Sequence, residues 1–394
     1  MKRIFGLLSV IALLFTACQK DEVGMVQQDE PLAVNGQIIP GRYIVVLKND
    51  GPQKVSSNGT YAQKQKEVLS YSQEIMSNLQ LPKESVKATY SGVITGFVTE
   101  LAEWQVAKLQ GDKRIAFVEP DRVITLGVDA KGKPTGGTTS PSQTTPWGIS
   151  RIGGFVSYSG TGTAWIIDTG IDLDHADLNV DVARSRTFVD RTKNADDENG
   201  HGTHVAGTVA ALNNTIGVVG VAAGAPVVAV RVLDRRGSGS YSWIIAGVDY
   251  VGANAKSGDV VNMSLGGPSS DALDQAVLNA AAKGIKFAIA AGNESQNSNN
   301  VSPARVNHQN VYTISAMDSK DVFASFSNYA NPPVDYCAPG VNIYSTYKGG
   351  GYSTLSGTSM ASPHACGVLL LGAPRTDGYV LNDPDGNADP IIHR

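Results

Sequence analysis

From residue 146 onward, short apolar runs alternate with longer stretches of helical periodicity. The runs fall at 164–167, 227–232, 260–263, 287–290 and 311–314. Each is apolar on both faces, which predicts parallel strands in a sheet covered by helices on both sides. The expected fold is therefore α/β: a three-layer domain over 146–394 whose reactive residues gather where strands end and helices begin. A different rhythm precedes it. Strand-like alternation at 43–47, 96–99 and 115–119 is interleaved with helical patterns at 64–79 and 104–109. This β-α-β-β-α-β order predicts a small α+β (ferredoxin-like) domain over 39–127. Residues 128–145, rich in Gly, Thr, Ser and Pro, read as a linker, and the polar stretch 19–38 reads as a tether.

Bulk properties narrow the functional classes. The chain has 394 residues, room for one large domain and a smaller one. With 42% hydrophobic and 17% charged residues and 43 glycines, a turn-rich globular protein is expected. A formal net charge of −4, with no basic stripe, argues against nucleic acid as a partner. Lys2 and Arg3 precede an apolar run over 4–15 that closes on Thr16-Ala17-Cys18. That is an export signal too short for a comfortable membrane span. Its end resembles a bacterial lipoprotein signal (1–18), with Cys18 as the lipidated residue, while Phe15 in place of leucine leaves a plain secretory signal open. Gln19-Lys20-Asp21-Glu22 resembles a surface-sorting tag. The remaining cysteines, Cys337 and Cys366, read as two buried thiols, with a disulfide as the alternative.

Three strings place one reactive side chain each among small residues. They are Asp168-Thr169-Gly170, Asn199-Gly200-His201-Gly202-Thr203-His204 and Gly357-Thr358-Ser359-Met360-Ala361-Ser362-Pro363-His364. An acid, a base and a hydroxyl are what acyl transfer through a serine requires. Ser359 opens a helical stretch, where freed backbone N–H groups favour developing negative charge. His201 lies between glycines that leave room for a substrate. His204 forms an H-x-x-H pair with it but reads as structural, since Asp196, Asp197 and Glu198 form only a loose acidic loop. Asp172 reads as a surface turn.

In order and wording these strings resemble the subtilisin-like serine proteases, and within them the proteinase K branch. The likeness covers roughly 40–370. It implies that 39–127, with its closing Val118-Glu119-Pro120-Asp121, is a propeptide inhibitor domain and that 128–145 is the processing linker. It further implies Asp168, His201 and Ser359 as a triad, with Asn293 donating to the oxyanion. Gly237-Ser238-Gly239 and Ser264-Leu265-Gly266 would pair with an extended peptide as if it were a middle strand. Ala290-Ala291-Gly292 would wall the primary pocket, small and apolar, hence broad apolar-leaning specificity. Asp335 matches a calcium carboxylate whose companions are carbonyls near Gln309 and Val311, although the lengthened 305–310 region departs from that pattern.

The expected function is an exported serine endopeptidase, made as an autoprocessed zymogen with its own propeptide as inhibitor. Its substrates would be proteins or peptides, and Cys18 would hold the precursor at the cell envelope until the catalytic part is released. Two alternatives remain at this level: an inactive surface binding protein of the same fold, or a peptide ligase or cyclase. After residue 371 the chain turns polar, with turns expected at 383–386 and 389–390.

Overall fold

The computed structural model describes residues 34–48, 58–127 and 141–394. Cys18 and residues 128–140 lie outside the described residues. The first domain has strands Ile38–Leu47, Val86–Tyr90, Gly96–Glu100 and Ile115–Thr125, with helices Tyr61–Asn78 and Glu103–Gln110. Its antiparallel sheet runs Ile115–Thr125, Ile38–Leu47, Gly96–Glu100, Val86–Tyr90. The β-α-β-β-α-β rhythm is thus realised, and Val86–Tyr90 is the strand that the pattern implied without locating. Thr60 starts the first helix through a reciprocal capping box with Gln63. Residues 34–38, expected in the tether, instead pack on the domain: Gly36 N donates to Val123 O at 2.8 Å.

The second domain holds a nine-stranded sheet. From edge to edge it runs Arg375–Tyr379, Pro390–His393, Val334–Pro339, Val311–Met317, Lys286–Ala290, Val260–Met263, Ala164–Asp168, Val227–Arg231, Arg186–Thr187. Every neighbouring pair is parallel except the first. All five predicted strands are present at its centre, and every predicted position but the half-buried Tyr312 is buried, as the two-sided apolar runs require. Helices His201–Ala210 and Thr358–Leu371 cover one face. Tyr241–Asn254 and Asp271–Ala281 cover the other, each started by a serine, Ser240 or Ser270, that accepts a backbone N–H. Ser142 and Thr144, expected in the linker, already bridge to Ile216 and Val218.

The sheet of the first domain packs on this second pair of helices, and one apolar core spans the seam. Ile44, Val46, Tyr90, Val98 and Ile124 share a cluster with Tyr241, Ile244 and Val248. Three carboxylates flank it. Glu119 accepts from Ser270 Oγ (2.5 Å), Asp271 N (3.1 Å) and Ala272 N (3.4 Å) at the start of the Asp271–Ala281 helix. Asp121 accepts from Ser242 N (3.0 Å) and Ser242 Oγ (2.6 Å) at the start of Tyr241–Asn254. Asp249 reaches the other way, accepting from the backbone N–H groups of Ser91, Gly92 and Val93 and from Tyr61 and Gln65. Burial pushes all three carboxyls up.

The C-terminal stretch departs from its polar reading. Residues 375–379 and 390–393 form a hairpin against Val334–Pro339, so Pro390 opens a strand rather than a turn. The period was hidden because the outer strand is exposed throughout. Asp389 is fully buried beneath it and accepts a hydrogen bond from Ser315 Oγ. Burial pushes its carboxyl up to about 7. A raised value means the folded state holds the proton more tightly than the unfolded chain. The associated stability is complete below the ordinary carboxylate range and lost as pH rises through about 7. In a Ser359→Ala background that prevents self-cleavage, the melting temperature should fall from pH 4 to pH 8. Asp389→Asn should flatten that fall; equal slopes by calorimetry would contradict the assignment.

Candidate active site

Asp168 ends the Ala164–Asp168 strand and His201 begins the His201–Ala210 helix. Both are fully buried, and His201 Nδ1 lies 2.8 and 3.0 Å from the two Asp168 oxygens. An anionic carboxylate offers only acceptors, so Nδ1 carries the proton and donates. Nε2 is left as the basic nitrogen; it is buried and, among the described residues, without a hydrogen-bond partner. Two glycines permit this approach. Gly200 adopts φ +112°, and a Cβ on Gly202 would sit 2.1 Å from the Gly170 carbonyl oxygen.

Asp197 organises the same corner. Read from sequence as part of a loose acidic loop, it is almost fully buried. Its oxygens accept from Thr169 Oγ1, Asn199 N, Gly200 N, Thr203 N and Thr203 Oγ1 at 2.6–3.0 Å. Thr169 in turn accepts from Gly202 N at 2.9 Å. Asp172 opens a turn as expected, its carbonyl accepting from His175 N at 3.2 Å, but the turn is not at the surface. Asp172 is 5% exposed and accepts from Gly350 N, tying down the hairpin of Ile343–Tyr347 and Gly351–Leu355. Only its bonding partner, 178 residues away, reveals this. His204 Nε2 donates to the carbonyls of Ile343 and Ser353, and burial lowers its pKa to about 3. It is a neutral packing histidine, as expected.

Ser359 is the second residue of the Thr358–Leu371 helix. Pro363, four residues on, has no N–H to give the Ser359 carbonyl. Ser264 Oγ fills that vacancy, donating to Ser359 O at 2.8 Å, while Ser359 Oγ donates to Ser264 O at 3.1 Å. Asn262 Nδ2 steadies Ser264 at 2.8 Å. Asn293 Oδ1 accepts from Thr358 N (2.8 Å) and Thr358 Oγ1 (2.9 Å). The Thr358 N–H can only donate, so the amide orientation is fixed and Nδ2 is left to other partners.

A cleft lined by Ser264, Leu265, Gly266, Ala290, Gly292, Asn293, Glu294, Val301, Thr358 and Ser359 receives the end of the first domain, Thr125, Leu126 and Gly127. Residues 123–125 pair antiparallel with Ser238–Ser240, and Leu126 N donates to Gly237 O at 2.9 Å. Ala291 does not line the cleft; its carbonyl is occupied by Asn328 Nδ2 at 3.0 Å. Glu294, which sequence reading passed over, adds a carboxylate to a wall expected to be small and apolar. Asp335 accepts from Thr313 N at 2.9 Å, and burial pushes its carboxyl up to about 6. Among the described residues no group of three or more acids, histidines or cysteines converges to hold a metal ion. Cys337 and Cys366 are buried free thiols, which burial keeps protonated.

Comparison with known proteins adds context. A model of the Subtilase family matches residues 165–375, and one of Peptidase inhibitor I9 matches residues 42–127. Alkaline serine exoprotease A of Vibrio alginolyticus is 39% identical over 351 residues, covering 86% of this chain and 62% of that protein. Subtilisin-like protease 5 of Arthroderma otae is 37% identical over 380 residues, 92% of this chain and 88% of that one. An extracellular serine proteinase of a Thermus species is 35% identical over 376 residues, with 91% and 87% covered. The crystal structure of a cold adapted subtilisin-like serine proteinase superposes with a TM-score of 0.54 and 37% identity, over 63% of this chain and 97% of that one.

Asp197→Ala strands at least three buried donors, and should cost about 3 kcal/mol of stability. Because the freed amides flank His201, kcat should fall more than KM rises. Unchanged melting and kcat would show that the corner is held otherwise.

Proposed function

This chain belongs to the subtilase family, and on that premise we propose that it is a serine endopeptidase made as a self-inhibited zymogen. One observation carries the reading: the first domain ends as an antiparallel strand on Ser238–Ser240, with Gly127 in the cleft that Ser359 and Asn293 line. That is the pose of a substrate held by its backbone. The Ser359 hydroxyl turns from Ser264 O to His201 Nε2, gives up its proton there and attacks the Gly127 carbonyl. Asp168 fixes the tautomer and stabilises the imidazolium. Asn293 Nδ2 and Ser359 N–H receive the oxyanion. His201 then protonates the departing amine, and water repeats the sequence on the acyl-enzyme. Small residues, Ala290 and Gly292, favour broad apolar-leaning side chains in the primary pocket, with Glu294 at its margin.

Within the family, the motif strings around Asp168, His201 and Ser359 support the proteinase K branch. Export is supported by the signal-like N-terminus and by a relative named for its extracellular location. If Cys18 carries lipid, the anchor belongs to the inhibitor half, and the catalytic half leaves the envelope once that half is degraded. A calcium ion on Asp335 and nearby carbonyls completes the proposal. It should reveal itself as a melting temperature lowered by chelator, and an unchanged value would remove it.

Expression of the full chain tests the rest. Wild type should yield a catalytic fragment whose first residue follows Gly127, recovered in the soluble fraction, while Ser359→Ala should remain full-length and membrane-bound. Asn293→Ala should lower kcat by about 10²–10³-fold with little change in KM. Processing that persists in Ser359→Ala would refute self-cleavage.

A further inference from the structure

The end of the first domain is held from both sides, and the second hold is unexpected. In an extended strand, successive amides face opposite edges. Leu126 N faces Gly237, on the Ser238–Ser240 side. On the other side, Val123 N donates to Gln37 O at 2.8 Å, Gly36 N donates to Val123 O at 2.8 Å, and Thr125 N donates to Asn35 Oδ1 at 3.2 Å. The Arg122 guanidinium donates to Gly36 O at 2.9 Å. Among the described residues, the hydrogen bonds on that far edge come from 35–37 rather than from Ser264-Leu265-Gly266.

An irregularity in the first strand delivers these residues. Ile38 pairs with Arg122, yet Tyr43 pairs with Pro120, so five steps along one strand match two along its partner. Pro40 and Gly41, the latter at φ +74°, lie within this bulge. Such bulges re-aim a strand, and here the upstream chain runs out beside the inhibitory strand toward the cleft. Gly36, at φ +81°, presses on the second domain, where a Cβ would meet the Pro268 ring at 2.5 Å.

We propose that Asn35 is a positioning residue for self-cleavage and inhibition. With Gly36 and Gln37 it clamps residues 123–125 in one register, so that Gly127 and no neighbour meets Ser359. Glu119, Asp121 and the buried Ile124 set the register of the strand as far as residue 124, since a one-residue slip would turn Ile124 outward. Beyond it the Ser238–Ser240 edge reads only backbone, and Asn35 fixes where Thr125 to Gly127 arrive. The clamp belongs to the same domain as the strand it holds, so it persists after the bond is cut and slows the strand's departure. The inference rests on the zymogen reading above.

The test uses the full chain as wild type, Asn35→Ala and Asn35→Asp, the last of which keeps an oxygen acceptor for Thr125 N. Intact mass identifies the cleaved bond, and the lag before hydrolysis of a peptide substrate reports retention of the cut inhibitor. Asn35→Ala should give ragged ends around Gly127 and a lag shortened about 3–10-fold, the range expected for one hydrogen bond. Asn35→Asp should restore a single end and most of the lag. If Asn35→Ala gives one end and the wild-type lag, the clamp is overturned while the zymogen reading stands. If wild type shows no Ser359-dependent cleavage, both fall. Melting of each variant in the Ser359→Ala background separates loss of the clamp from loss of the fold.

Discussion

Three carboxylates, Glu119, Asp121 and Asp249, leave water at the seam between the two domains, and each must be repaid there by N–H and O–H donors. Glu119 and Asp121 are repaid at the starts of two parallel helices, where unpaired backbone N–H groups and the helix dipole favour an anion. Asp249 is repaid by the 91–93 turn. Neither domain alone offers both halves of these arrangements. The acids therefore fix how the inhibitor sheet sits on the helices, and that placement aims residues 123–127 along the groove.

From this constraint the inhibited state follows. Glu119 and Asp121 lie on the strand that continues into the cleft, so anchoring them sets where the strand's end arrives. Ile124, fully buried in the shared core, adds the apolar hold that glycine at 127 cannot supply. Ser359 and His201 meanwhile each keep their own contacts. Ser359 Oγ donates to Ser264 O, and His201 Nε2 has no hydrogen-bond partner among the described residues, so neither group is committed to the other.

Much of this was legible in the sequence, for reasons that differ by element. The five central strands showed because parallel strands buried on both faces must be continuously apolar. The strings around Asp168, His201, Ser359 and Asn293 stood out by their wording, and folding brings Asp168 to His201 and sets Ser359 and Asn293 in one cleft. Asp172 did not show because its donor lies 178 residues away, and Asp197, whose donors are mostly within six residues, was passed over as one acid of a loose loop. Ala291 was placed on the pocket wall although alternation along the strand end turns it away, and Glu294 was missed because it follows the motif. The C-terminal hairpin was hidden by its exposed outer strand, and residues 34–38 by a polar composition that suits a tether and a clamp equally.

On the function proposed above, Ser359 is a nucleophile whose access the first domain controls. Labelling with a fluorophosphonate probe, located by peptide mass, tests it directly. Ser359 should be modified in the processed protein once the inhibitor has gone, and little or not at all while it is bound. Processed protein, free of its inhibitor, that leaves Ser359 unlabelled would contradict it.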